Sequence, residues 1–281
     1  MLYQIFHLKD YFPFLGENGK DPTLTVYAAD NLSEMNWDHK KHPGILVCPG
    51  GAYLYTSSRE AEPIALNLVP WGYNVFVLNY SCVPHCFPTQ LIEVAAALEL
   101  IHKNADVWHT DTKKIGIMGF SAGGHLAGHY SNRYNCPEVR AIFPDSKPVQ
   151  ASILCYPVIT AKPAYRHEGS IQNVSGHQNI TDADVANFSL ELLVTDKTPP
   201  AFIWHTSEDD IVPVINSVLY AHALAQHKIP FAQHIYTYGP HGLSTADDTS
   251  CEPLEENQKA THNWLRDLKI WLKSVFDAVQ I

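Results

Sequence analysis

No run of lysine or arginine occurs in this 281-residue chain, whose formal net charge is −10. Nucleic acid and anionic membrane surfaces both call for a basic patch, so neither is expected as a partner, and the acidity reads as solubility. No apolar run approaches the roughly 18 residues of a membrane span. The opening stretch MLYQIFHLKDYF lacks a basic start, a long apolar segment and a small-residue cleavage site. It does not read as a signal peptide, and a cytoplasmic location is the expectation. Cysteine is scarce too: six residues scattered over the chain make no disulfide framework. Cys82 and Cys86, in CVPHC, resemble half of a metal site, but no second pair completes it and Pro84 and Pro88 make the stretch a loop. Both are expected to be ordinary thiols. Neither a dinucleotide fingerprint nor a phosphate-loop lysine motif is present, nor any internal repeat or low-complexity segment.

What the chain does have is apolar residues, 46%, against 17% charged, enough to bury a sizeable core. Strand-like runs (TLTVYAA, GILVCPG, YNVFVLNYS, KKIGIMGFS, ASILCYPV, AFIWHT, FAQHIYTYG) are rich in β-branched and aromatic residues. GILVC and IGIMGF are nearly continuous in apolar residues, as inner parallel strands covered on both faces should be. Helical patterns lie between them. Thr89 to Trp108 repeats apolar residues at Leu91, Val94, Ala95, Leu98 and Ile101, and Pro213 to His227 and Leu254 to Val279 are further helices. Such alternation predicts a doubly wound, mostly parallel α/β sheet with helices on both faces. The aromatic-rich last helix suits either a subunit interface or packing on its own sheet, so a homo-oligomer stays open. From about 159 to 200 the chain turns polar and irregular, apart from a helical piece around DADVANFSLELL. That segment reads as a cap-like insertion within one domain spanning 1–281.

One heptapeptide carries the chemistry. GFSAGGH, Gly119 to His125, follows a strand and opens a helix, and G-F-S-A-G fits G-x-S-x-G. A serine on so tight a turn takes a strained backbone conformation, and Gly119 and Gly123 supply the room. The helix opening at Ala122 then aims free N–H groups and its positive end at a reacting oxygen. A serine nucleophile needs a base, and the base needs an orienting carboxylate. FIWHTSEDDIVPV supplies Glu208, Asp209 and Asp210 just past a strand; the D-x-x-V-P spacing favours Asp209, with Asp210 left open. Among sixteen histidines His241 stands apart, in the loop YGPHG between the last strand signal and the last helix. His125 and His129, four apart on one helix, mimic a metal pair, but Leu126 stands where a metalloprotease would have Glu, so packing accounts for them. Upstream, CPGGAY follows a strand, and its Gly51 and Ala52 amides, with that of Ala122, make an oxyanion hole shaped by Gly50.

These stretches, with SREAEPIALNL, FPTQLIEVAAAL and TPPAFIWHTSEDDIVPV, resemble the small microbial carboxylesterases of the α/β-hydrolase fold. That group is related to hormone-sensitive lipase and to acetyl-xylan and feruloyl esterases. The similarity runs from about Gly44 to about Leu243. It implies a Ser121–His241–Asp209 triad, an oxyanion hole at Gly51, Ala52 and Ala122, a small-molecule ester substrate and no cofactor or metal. Lipase-like members carry His-Gly-Gly-Gly, whereas here Pro49 and Ala52 replace the first and last residues, which fits the acetyl-esterase side. Short acyl groups are expected, on the small cap and on Tyr53 as a bulky substrate contact. The alternatives are a prolyl-type serine peptidase, for whose large gating domain no length remains, and a non-catalytic binding protein on the same fold.

Overall fold

The apolar runs are short and rich in β-branched residues, and as strands of a sheet covered on both faces they bury every residue. In the computed structural model, which describes residues 1–251 and 253–278, Ile45, Leu46, Val47 and Cys48 are fully enclosed, as are Ile117, Met118 and Phe120. In chain order the elements are β1 (Leu2–His7), β2 (Thr23–Ala28), β3 (His42–Cys48), α1 (Glu62–Leu68), β4 (Asn74–Asn79), α2 (Thr89–Lys103), β5 (Thr110–Phe120) and α3 (Ala122–Arg133). There follow α4 (Pro137–Arg140), β6 (Ala151–Cys155), α5 (Glu168–Ser175), α6 (Asp182–Phe188), β7 (Ala201–Thr206), α7 (Ile215–Gln226), β8 (Phe231–Tyr236) and α8 (Asn263–Ala278). They form one eight-stranded sheet in the order β1-β2-β4-β3-β5-β6-β7-β8. β2 runs antiparallel to both its neighbours, β1 and β4, and the other pairings are parallel.

Two apolar cores lie on the two faces. Residues of α2, α3 and α7 build one, and residues of α1 and α8 build the other. In α8 the residues Trp264, Leu268, Leu272 and Phe276 recur every fourth position and are all buried, so this helix packs on its own sheet.

Element ends differ from the sequence reading. α2 stops at Lys103 rather than Trp108, because Asn104 leaves helical geometry at the cap. The last helix begins at Asn263, not Leu254; a 3₁₀ turn, Lys259–His262, precedes it, and Val279 lies outside the described residues. Besides α5, three elements carry no clear signal. β1 is a largely exposed edge strand without a buried alternation, α1 is only seven residues long and α4 only four. Within 159–200, α6 starts on a capping box in which Thr181 and Asp184 satisfy each other's backbone N–H. α5, unanticipated, precedes it.

The strand order positions the site. From β3 the chain crosses to β4 on one side, and β5 then pairs on the other side of β3. The carboxyl ends of β3 and β5 thus lie side by side, with Cys48 opposite Gly119, at the point where a doubly wound sheet opens a crevice.

Candidate active site

Ser121 sits between β5 and α3 at φ 53° and ψ −117°, a conformation costing an ordinary L-residue ~1–3 kcal/mol. The surrounding packing enforces it. A Cβ on Gly119 would stand 2.0 Å from the Gly123 carbonyl oxygen, and one on Gly123 would stand 2.1 Å from the Cys48 carbonyl oxygen and 2.3 Å from that of Pro49. The turn is therefore pressed against its own helix and against the chain leaving β3. Both glycines are steric necessities.

His241 spans the gap to the acid. Its Nε2 lies 2.8 Å from Ser121 Oγ, and its Nδ1 lies 2.6 Å from Asp209 Oδ2. A carboxylate only accepts, so Nδ1 carries the proton and Nε2 accepts from the serine hydroxyl. Of the three candidate acids only Asp209 reaches this imidazole. Glu208 instead accepts from the Gly239 N–H at 3.0 Å, and Asp210 is exposed. The D-x-x-V spacing has a local cause: Asp209 Oδ1 accepts from the N–H of Ile211 at 3.1 Å and of Val212 at 2.8 Å, which closes the turn after β7.

His205, on β7, was not read from the sequence as part of this group. Its Nε2–H donates to Asp209 Oδ2 at 3.0 Å and to the Val212 carbonyl at 2.9 Å, while Nδ1 bonds Ser217 Oγ at 2.7 Å. Burial pushes the Asp209 carboxyl up, but the hydrogen bonds from His205 and His241 outweigh it and hold the group far below the usual carboxylate range. These bonds favour the anionic form of Asp209.

The turn after β3 faces Ser121. Gly51 takes φ 120°, where a Cβ would meet the Tyr55 carbonyl at 2.1 Å, and Ala52 takes φ 56°. Among the described residues no protein acceptor takes the N–H of Gly51, Ala52 or Ala122. Gly50 N–H donates at 2.7 Å to Glu60 Oε2, and the Ala52 carbonyl accepts from Asn173 Nδ2 of α5 at 2.8 Å. Glu60, wholly buried, also accepts at 2.7 Å from the Tyr156 hydroxyl, which in turn accepts from Ser244 N–H at 2.9 Å. The Tyr156 ring meets His241 edge-on at 5.0 Å. A buried carboxylate and a phenol thus join the turn after β3 to the loop that carries His241. Neither residue carries a sequence signal, since their partners are distant in the chain.

Tyr53, expected at the substrate, is instead fully buried, its hydroxyl 2.8 Å from His125 Nδ1. Its backbone is left-handed, at φ 58°, and the tyrosine that lines the cavity is Tyr55. His125 Nε2 donates to the Phe188 carbonyl at 2.9 Å, and burial lowers its pKa to about 4, so it is a neutral packing histidine. His129 is buried against it, with ring centroids 5.5 Å apart. The cavity at Ser121 and His241 measures about 220 Å³, with Tyr55, Arg59, Glu60, His167 and Ile211 in its walls. His167 belongs to the 159–200 segment, as the N-cap of α5. All six cysteines are free thiols. Among the described residues no helix is long and apolar enough to cross a membrane.

The BD-FAE family model matches residues 34–224, more than half of the chain. An endo-1,4-beta-xylanase B of Butyrivibrio fibrisolvens is 42% identical over 222 residues, 75% of this chain and 34% of that protein. An acetylxylan esterase of Xylanibacter ruminicola is 31% identical over 236 residues, 82% of this chain and 45% of that protein. The chain thus spans less than half the length of either curated relative. Among solved structures, an acetyl ester-xyloside bifunctional hydrolase from Caldicellulosiruptor lactoaceticus superposes with a TM-score of 0.82 at 33% identity, covering 97% of this chain and 96% of that one. With a matching family model over most of its length and a fold shared nearly end to end, the chain belongs to the BD-FAE family of α/β-hydrolase esterases.

Proposed function

We propose that the protein is a serine esterase that hydrolyses acetyl-type esters through an acyl-enzyme. The observation that carries this reading is one imidazole hydrogen-bonded to Ser121 Oγ on one nitrogen and to the Asp209 carboxylate on the other. Ser121 Oγ attacks the ester carbonyl as His241 Nε2 takes its proton, and Asp209 holds the Nδ1–H tautomer and stabilises the imidazolium. The N–H groups of Gly51, Ala52 and Ala122 receive the tetrahedral oxyanion, each such donor contributing ~3–4 kcal/mol. His241 then returns the proton to the departing alkoxide, and water repeats the sequence on the acyl-serine. The scheme needs no cofactor.

A cavity of about 220 Å³ favours a short acyl group. The relatives' names, acetylxylan esterase and acetyl ester-xyloside hydrolase, support an acetylated sugar as the substrate. The test compares wild type with Ser121→Ala on p-nitrophenyl acetate, where the loss in kcat should be ~10⁴–10⁶. An alanine variant as fast as wild type sinks the mechanism. Rates on p-nitrophenyl esters from acetate to laurate check the acyl preference; an optimum at decanoate or longer contradicts it.

A further inference from the structure

The cavity at Ser121 is smaller than the ~300–1,000 Å³ of ordinary small-molecule sites, so only part of an ester fits inside it. Beyond a single 3₁₀ turn, Ser58–Glu60, lies a second cavity of about 760 Å³. Glu60 lines the inner cavity, Ser58 lines the outer one, and Arg59 lines both. Arg59 is fastened to the loop that follows His241. Its carbonyl accepts from Ser244 Oγ at 2.6 Å, and its guanidinium lies so close to Gly242 that a Cβ there would stand 2.5 Å from Nη2. One exposed side chain marks the passage between the two.

The outer cavity has a distinctive lining. Tyr3, on β1, is 56% exposed and lies with its ring 5.1 Å from that of Tyr27, its buried cross-strand partner on β2. Thr25 continues the same strand face, Glu62 projects from the start of α1, and Asp248 is also in the wall. A saccharide matches this set: its C–H face stacks on tyrosine, and its hydroxyls bond carboxylate, hydroxyl and guanidinium groups. Two carboxylates against one guanidinium disfavour an anionic chain, and a long acyl tail would desolvate those carboxylates without compensation.

We propose that the outer cavity is a subsite for a neutral oligosaccharide, whose acetylated unit reacts at Ser121 while neighbouring units run past Arg59 over Tyr3. This rests on the esterase reading and extends it, placing the sugar chain on the alcohol side of the ester and giving it a direction across the surface.

Two measurements test it. For wild type, kcat/KM on acetylated xylo-oligosaccharides should climb with length from one to several units, roughly three- to tenfold in all. In Tyr3→Ala or Asp248→Asn most of that gain should vanish, each rate taken relative to the same variant's rate on p-nitrophenyl acetate. Asp248→Asn is isosteric, so it stands in should the Tyr3 change disturb the edge strand. Calorimetric titration of the Ser121→Ala protein with unacetylated xylotetraose reads binding without turnover; heat should be measurable and should be lost when Tyr3→Ala is added. A length profile that is flat, or that both substitutions leave intact, overturns the subsite, as does the absence of xylotetraose binding. Failure of Ser121-dependent hydrolysis with xylotetraose binding intact counts against the esterase reading alone.

Discussion

Replacing Tyr156 with phenylalanine isolates one hydroxyl. The ring stays, so its edge contacts with Trp204 at 4.9 Å and His241 at 5.0 Å survive. The oxygen that donates to Glu60 at 2.7 Å and accepts from Ser244 N–H at 2.9 Å is lost. Both partners are buried, Glu60 at 2% and Ser244 at 0% exposure, so water cannot readily take the vacated place. Each buried polar group left unpaired costs ~1–3 kcal/mol, and one of these is a carboxylate, so the folded state should lose roughly 2–5 kcal/mol. Burial already pushes the Glu60 carboxyl up against the hydrogen bonds from Tyr156 and Gly50 that lower it. With the phenol gone, the balance tilts further toward the protonated acid. Because Ser244 lies three residues beyond His241, slack in that loop should appear as a fall in kcat of about tenfold or more, with KM for p-nitrophenyl acetate changing by less than about threefold. Urea unfolding followed by fluorescence, together with steady-state kinetics, measures both. A variant matching wild type in midpoint and in kcat refutes the idea that this hydroxyl holds the histidine loop to the turn after β3.

Gly123→Ala should destroy activity and cost at least roughly 1–3 kcal/mol, because the new methyl meets the Cys48 and Pro49 carbonyls, both backbone atoms that cannot move aside alone. Soluble protein with near-normal kcat on p-nitrophenyl acetate contradicts this. Glu93 offers a pH-dependent test. Burial raises its pKa to about 7 from an ordinary 4.5, against hydrogen bonds from the Ser81 hydroxyl and N–H. Between those values the folded state keeps a proton that the unfolded chain has released, so stability should fall as pH rises through that window, by roughly 3 kcal/mol in all. Glu93→Gln should flatten that slope in urea titrations at about pH 5 and pH 8; equal slopes in the two proteins would refute the assignment.

Much of the fold was legible because its signals are short-range. β3 and β5 announce themselves as unbroken apolar runs, and the stripe of α8 recurs every fourth residue, since a covered strand and a one-sided helix each demand that pattern locally. β1 was not legible, as an exposed edge strand needs no apolar alternation and is held by pairing with β2. Tyr53 was misplaced for a related reason: it lies close to the glycines along the chain, but its hydroxyl's partner, His125, lies 72 residues away.

The sequence by itself determined the tight turn at Ser121, because Gly119 and Gly123 are required by contacts within a few residues of Ser121 and with the neighbouring strand end. It also narrowed the acid to three adjacent residues and singled out one histidine by its loop. Only the tertiary structure decided which acid meets that histidine, since Asp209 and His241 lie 32 residues apart and Ser121 and His241 lie 120 apart. Only the tertiary structure revealed His205 on the acid, the Glu60–Tyr156 bridge and the second cavity behind Arg59. Short-range sterics are written in neighbouring residues. Hydrogen bonds between the ends of separate strands depend on the order in which the sheet is wound, which no local pattern records.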